Sequence, residues 1–239
     1  MKKIIFAIAA VMITCAVFAQ GKTYNDPNAE VRTVKSFHAI KVSTGIHLYL
    51  TQGNDEAVAV SASDKEYRDR IKTEVTDNGT LKIYFDNKWN DWSNTEGKNL
   101  KAYVSCKMLD ALRGNSGAHV DVDGTVKSNK LHLDFSSGAS FKGNISVTDL
   151  TAETSSGAHS TISGTASNIK TEASSGSRLD ADDLQSEIAE ADASSGGHIE
   201  LNVNKQLSAS ASSGGHIHYK GNAVISDINT SSGGAVSKK

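Results

Sequence analysis

Along the C-terminal half of the chain, apolar and polar residues alternate with period two, and the alternation restarts at each Ser-Gly pair. Ahead of Gly196 the apolar positions are Ala189, Ala191 and Ala193; behind it they are Gly197, Ile199, Leu201 and Val203. The next stretch repeats this with Leu207, Ala209 and Ala211, then Gly215, Ile217 and Tyr219. Period two is the signature of a strand with one buried face, and helical spacing fits none of these stretches. SSG or NSG recurs with its glycine at Gly117, Gly138, Gly157, Gly176, Gly196, Gly214 and Gly233, at intervals of 21, 19, 19, 20, 18 and 19 residues. A repeat of this length marks a solenoid, in which each coil packs only on its neighbours.

A second punctuation follows each glycine: Asp123-Gly124, Gly164-Thr165, Asp182-Asp183, Asn204-Lys205 and Gly221-Asn222. Gly, Asn and Asp tolerate the positive φ of tight turns. Each coil therefore reads strand, SSG corner, strand, polar turn and connector. The predicted fold is all-β, a single-stranded right-handed parallel β-helix of about 19 residues per coil, because parallel crossovers are right-handed. Continuing the alternation through the corner puts the serine before each glycine inward, with its hydroxyl on the backbone or the next coil, and the glycine outward.

Upstream the pattern loosens. FHAIKVS, GIHLYLTQG, AVAVSAS and KTEVTDNGTLKIYF read as strands, the last a hairpin turning at Asp77-Asn78-Gly79. They are expected to form the first, less regular coils and to cap the open end of the solenoid. Residues 34–239 read as one domain and the polar residues 20–33 as a flexible leader. Residues 1–19 have two lysines, an apolar run from Ile4 to Phe18 and small residues before the cut, the pattern of a secretory signal peptide cleaved near Ala19. The run is shorter than the roughly 20 residues a membrane span needs, and no later segment is more apolar. Cys15 follows Thr14, a poor match to a lipidation site. The expected address is extracytoplasmic: periplasm, outer surface or medium.

Composition narrows the chemistry. The chain carries 25 basic and 27 acidic residues, a net charge of −2, and loses Lys2 and Lys3 with the leader. That balance excludes a nucleic-acid binder, which needs a basic footprint. Cys106 is then the sole cysteine, so no internal disulfide forms; its alternation with Val104 and Met108 reads as a buried apolar position.

With these features in place, the chain resembles a known family. Thr44–Gly53 (TGIHLYLTQG), the L-x-x-L-x-x-x-S-G run at Leu109–Gly117 and the train of SSG[AG] corners are similar to the "putative auto-transporter adhesin" family called the head GIN domain. The name tripeptide Gly-Ile-Asn is here Gly45-Ile46-His47. The resemblance runs from about Val34 to the C terminus. It implies a right-handed parallel β-helix from bacterial secreted or envelope proteins, no catalytic set, and adhesion.

The candidate sites follow from the repeats and from one irregular loop. GNSGA at Gly114–Ala118 looks like the neighbourhood of a nucleophilic serine, but a nucleophile needs a base within hydrogen-bond reach. The outward acids Asp134, Glu153, Glu172 and Asp192 lie six residues before the histidine position, roughly 20 Å along an extended strand. No catalytic residue is assigned. Four corners carry a histidine two residues after the glycine. His198 and His216 fall on adjacent coils in one register, with His159 two coils away across Arg178. Zinc takes three or four protein ligands, so His159, His198 and His216 read as a solvated surface ladder, with no metal or other cofactor. The stacked acids repel one another, and Lys170 relieves Glu172 diagonally. The loop Asp86–Asn99 holds both tryptophans among polar residues. Trp89 and Trp92, with Asp86, Asn90 and Asp91, read either as a ligand-binding site for sugar rings or a partner surface, or as pins folding the loop onto the solenoid. The function expected is a non-catalytic binding or adhesion module for a surface glycan or protein. The alternatives are a structural spacer and a lyase-like carbohydrate-active enzyme. Oligomeric state is not legible.

Overall fold

The computed structural model describes residues 26–87 and 97–239, together with two short strands, β1 (Val17–Phe18) and β2 (Thr23–Tyr24), which pair antiparallel. Among the described residues the chain is almost entirely strand; the one helix, α1 (Lys65–Asp69), is a single turn capped by Asp64. From β10 (Ala111–Gly114) onward it is a single-stranded parallel β-solenoid. β11 (His119–Phe135), β12 (Ser140–Thr154), β13 (His159–Ala173), β14 (Arg178–Ala193) and β15 (His198–Ala211) each pair in register with the next. β16 (His216–Lys220), β17 (Val224–Thr230) and β18 (Ala235–Lys238) complete the last two coils. The long strands bend where the polar pairs were expected to turn, with register shifts at Asp121/Thr125, Thr161/Gly164 and Ala181/Gln185.

The inward positions read from the sequence are correct. Ile199, Leu201, Val203, Leu207 and Ile217 are all fully buried. Cys106 is buried as well, and burial pushes its thiol up to about 12. Side-chain volume tapers along the axis: Ile40, Leu48, Leu81, Phe135 and Phe141 fill the early coils, and alanines such as Ala189, Ala191, Ala209 and Ala211 fill the late ones.

The SSG corners need a correction. The second serine of each copy, Ser116 through Ser232, has φ between +49° and +54°, and the following glycine between +70° and +78°. Two successive left-handed residues make a type I′ turn, closed in the first copy by the Ala118 amide donating to Asn115 O at 3.2 Å. Period-two alternation does not pass through such a turn, so the serine is exposed, and the residue after the glycine (Ala118, Ala139, Ala158) is the buried one. Ser177, which follows its glycine and stands where those alanines stand, is the serine of its corner that bonds inward; its hydroxyl donates to Thr154 O at 2.6 Å.

The turns stack into a hydrogen-bonded column. Gly117 N donates to Ser137 O on the next coil at 3.0 Å, and Ser136 N donates back to Gly114 O at 2.9 Å, a pattern repeated up the solenoid. Ser43-Thr44-Gly45 is a further copy, with φ of 63° at Thr44 and 67° at Gly45, and Gly45 N donates to Ser116 O at 3.0 Å. The stretch that carries the family resemblance is therefore a turn of the same column.

The N-terminal coils are out of sequence order. β4 (Ala39–Val42) lies between β10 and β8 (Thr80–Phe85), and β5 (His47–Gln52) lies between β11 and β9 (Lys101–Cys106), all parallel. The coil that comes first in sequence is thus second in space. The chain then turns back to build the outermost coil from β8 and β9, and jumps past the second to reach the third. The end is closed by antiparallel strands: β6 (Ala57–Ser61) on β9, β7 (Ile71–Val75) on β8, and β3 (Glu30–Arg32) on β6. The hairpin at Asp77-Asn78-Gly79 forms as expected. The flexible leader expected over residues 20–33 is instead ordered from Asp26, because β3 covers the edge of β6 and the Tyr103 hydroxyl donates to Asp26 at 2.8 Å.

Two substitutions test this packing. In the narrow late coils an added Cβ at Gly215 would lie 2.3 Å from Ala193 O, a backbone atom that cannot step aside. Gly215→Ala is expected to cost about 1–3 kcal/mol, as overpacking does. Leu201→Asp places a charge in the core and is expected to cost more than that. Thermal melts followed by circular dichroism check both; parent-like melting of either would shift the register by a residue.

Candidate functional site

One flat face carries the residues that follow each turn. Two residues past the glycine, its outer column runs Lys101, His47, His119, Ser140, His159, Arg178, His198, His216 and Ala235, each the register partner of the next. The structure thus brings His198 and His216 together and separates His159 from them by Arg178. It also adds His47, the residue in the asparagine position of the family tripeptide, which sequence reasoning left out because its turn is written STG rather than SSG.

At the capped end this face holds a stack of rings. Tyr103 and Tyr49 stack 5.3 Å apart and nearly parallel, and His47 stacks on Tyr49 at 4.2 Å. His47 Nε2 sits 2.6 Å from Asp121 Oδ2. Burial, with Asp121 and Asp26 nearby, raises the Tyr49 phenol. The rings cover one another's faces, so the stack works as a ladder of edges rather than as a platform.

At the other end a carboxylate gathers cations. Glu200 bonds Lys239, Arg178 and, at 3.2 Å, His198 Nε2. The Lys239 ammonium above all, helped by His198 and Arg178, holds Glu200 down to about 2 against the opposing effect of burial. Burial in turn lowers His198. The His198 ring meets His218 at 5.1 Å, a diagonal contact. Among the described residues no group of three or more His, Cys, Asp and Glu could hold a metal ion.

On the face before the turns, Asp134, Glu153, Glu172 and Asp192 stack as the sequence suggested. Lys170 Nζ lies 3.9 Å from Glu172 and closer, at 3.1 Å, to Glu190.

The tryptophan loop replaces a turn. It leaves the outermost coil at Phe85 and returns at Leu100, where the next coil has the tight turn Ser43–Ile46. Asp86 is exposed and tied by its backbone, accepting from Arg70 Nε at 2.9 Å and donating to Arg70 O at 2.9 Å. Lys98, at the far end, is buried with its ammonium over the Tyr67 and Phe85 rings. Trp89, Asn90, Asp91 and Trp92 lie outside the described residues.

A groove that sequence reasoning missed arises from the exchanged coil order. After Gln52 the chain departs to the cap, so the second coil has no strand on the next face. The four residues Lys107–Asp110 bridge that gap, climbing two coil spacings, roughly 10 Å, from β9 to β10. The result is a concavity of about 1090 Å³, bordered by Lys107, Met108, Lys127, Lys130, Ser146 and Thr148. Gln52 closes the bare edge of the first strand on that face. Its amide accepts from Lys127 N at 2.7 Å and donates to Lys127 O at 3.0 Å and Lys107 O at 3.1 Å. Met108 is 67% exposed at the rim. Among the described residues Lys107, Lys127 and Lys130 have no ion-paired carboxylate: Asp110 is engaged by His38 at 2.7 Å, and Asp149, opposite Lys130, accepts from Asn168 at 2.8 Å. No local signal gives this site away, because Lys107 lies on the connector after β9 while Lys127 and Lys130 lie in β11, and only the exchanged coil order brings them together.

Comparison with known proteins follows the same lines. A family model described as "Putative auto-transporter adhesin, head GIN domain" matches residues 36–223. No curated protein matches the chain. Among solved structures, a "putative adhesin" from Bacteroides fragilis superposes with a TM-score of 0.76 at 17% identity, covering 88% of this chain and 96% of that one. A "putative lipid binding protein" from Parabacteroides distasonis gives 0.68 at 21% identity, covering 89% and 97%. A "putative adhesin" from Parabacteroides merdae gives 0.68 at 15%, covering 88% and 95%. These likenesses carry the fold.

The Glu200 cluster predicts a pH dependence. A carboxylate held below its usual 4.5 contributes stability that is present above that value and lost as pH falls toward about 2. His198 adds to the loss from its usual 6.5 downward, since the unfolded chain takes up its proton first. Glu200→Gln is expected to flatten the fall in melting temperature between pH 4.5 and 2. Melts across that range check it; an unchanged slope would remove Glu200 from the account.

Proposed function

The chain belongs to the family described as "putative auto-transporter adhesin, head GIN domain", and on that premise we propose that it is a non-catalytic binding module of the cell envelope that holds an acidic surface glycan. The observation that carries the ligand class is the groove at Lys107, Lys127 and Lys130. In a chain of net charge −2, three lysines without ion-paired carboxylates among the described residues converge on a concavity of about 1090 Å³. Ser128, Ser146, Thr148 and Asn129 supply donors and acceptors for sugar hydroxyls, while the lysines meet carboxylate or sulfate groups. An extended peptide adding itself as a strand is disfavoured, because Gln52 already occupies the Lys127 backbone. Trp89 and Trp92 lie outside the described residues, and the proposal assigns them stacking contacts on the same ligand. Export through the N-terminal leader, with cleavage near Ala19, delivers such a module outside the cytoplasm. No helix among the described residues is long and apolar enough to cross a membrane.

One observation favours an enzymatic second reading. The His38–Asp110 pair borders the groove, and a base beside cations is what a lyase uses to remove the proton next to a uronate carboxylate. Isothermal titration with polygalacturonate and with neutral dextran, alongside an assay for unsaturated product ends, separates the readings. Binding of the acidic polymer without product is expected. Lys107→Ala, Lys127→Ala and Lys130→Ala together are expected to weaken it at least about tenfold, as loss of charged contacts does. Product formation abolished by His38→Ala would make the protein a lyase. Absence of binding to any glycan on an array would defeat the binding reading.

A further inference from the structure

The charges on the face before the turns are sorted by sign along the axis. From the capped end one column runs Lys82, Lys41 and Arg113, then Asp134, Glu153, Glu172 and Asp192, each the register partner of the next. All seven are exposed or half-exposed. Opposite charges directly across adjacent strands stabilise a sheet and like charges destabilise it. Alternating signs would therefore let the solenoid neutralise itself, and this column does the reverse. Within the seven only the midpoint joins opposite charges, Arg113 to Asp134 at 3.9 Å, and at the capped edge Glu74 stands across from Lys82. Among the described residues Lys41 and Lys82 have no carboxylate within ion-pair distance, and on the acidic half Lys170 lies within that distance of Glu172 and acts on Asp192 from farther off. Segregation costs the isolated chain and is recovered only against a body that carries the opposite order at the same spacing.

A reversed copy of the same column is such a body. We propose that this face pairs two copies of the chain, antiparallel, in an isologous dimer whose two-fold axis lies at the Arg113–Asp134 junction. There Arg113 meets the partner's Asp134, Lys41 meets the partner's Glu153, and Lys82 meets the partner's Glu172. Each contact occurs twice by symmetry. The coil spacing of about 4.8 Å is common to both copies, so aligning one contact aligns the rest. Beside the cations the column holds Thr80, Ala39 and Ala111, small residues that leave the charged side chains foremost. Asp192 falls opposite Glu74, whose carboxylate accepts from Tyr84 at 3.0 Å, so the pairing ends after three coils from the axis. The face is polar, with a shallow concavity beside the Thr76–Asn78 turn at its cationic half, and charge carries the association, which makes it weak and salt-sensitive. The dimer rests on this register and not on the glycan reading; it would also set two grooves on one particle and raise avidity for a polymer.

Sedimentation velocity at about 0.02 M and 0.5 M salt tests it. Dimer at low salt and monomer at high salt is the expected result. Arg113→Glu is expected to raise the dissociation constant at least about tenfold, because like charges then face each other twice. Arg113→Glu with Asp134→Arg restores opposite pairing and should restore the dimer. Melting of each variant by circular dichroism shows that it folds; should Arg113→Glu fail, Lys41→Glu with Glu153→Lys makes the same exchange one coil away. A chain that stays monomeric at low salt overturns the proposal. So does a dimer indifferent to these charges, or a charge exchange that does not restore it.

Discussion

Each coil of this protein is held to the next by parallel, in-register pairing, and nearly everything else follows from that constraint. Parallel register at about 4.8 Å puts like on like: turn over turn, core residue over core residue, charge over charge. It explains how a serine persists at a φ near +50°, a conformation that costs an L-residue about 1 kcal/mol or more. The strain is locked in from both sides, because the first serine's amide bonds the coil before and the glycine's amide bonds the coil after. A single such turn would relax; a stacked column has no room to. The same stacking makes the late coils tight enough that the residue after the turn shrinks from alanine to glycine.

The ends answer to the constraint differently. At the N-terminal end antiparallel strands and the single helical turn cover the outermost coil, and the core beneath them is built from large residues. On the outermost described coil at the other end, Ile225 and Ile228 are the register partners of Leu207 and Ala209 and are 37% and 41% exposed. A solenoid propagates its packing one neighbour at a time, so each coil leans on those beside it. Lys239 reaches back past the coil of β16 to Glu200 and Asp182, which ties its own coil to those two and three before it.

Much of this was legible because a repeat lets one coil vouch for another. The period, the buried set around Ile199 and Leu201, the bends at the polar pairs and the shared register of His198 and His216 all follow from spacing alone. The turn serines were misplaced because alternation is a property of extended residues, and two left-handed residues reset it. The exchanged order of the first coils left no trace, since which edge a strand joins is decided by contacts far away in sequence. That topology also hid the groove and the basic half of the charged column. Lys41, Lys82 and Arg113 are scattered over the chain before the repeats settle, whereas the four acids share one offset from their glycines and were found at once.

On the regular coils every surface feature is copied by the coil above and below it, so a concavity there is a groove along the axis, such as that of about 390 Å³ running past Thr151, Lys170, Glu190 and Ser208. A concavity closed along the axis needs a place where the copying fails. Here it fails where the chain leaves the second coil after Gln52 and where Lys107–Asp110 bridges the vacancy left behind. It fails again between Phe85 and Leu100, which stand where the next coil has the four-residue turn Ser43–Ile46. Both breaks fall at the capped end, within the coils whose larger cores and antiparallel cover make irregularity affordable. The regular coils beyond them, by contrast, offer a straight and evenly ruled edge. Such an edge suits pairing with another object of the same pitch, and poorly suits enclosing a small one. The division is therefore physical before it is functional: the irregular coils have the shape to recognise, and the regular ones have the spacing to align.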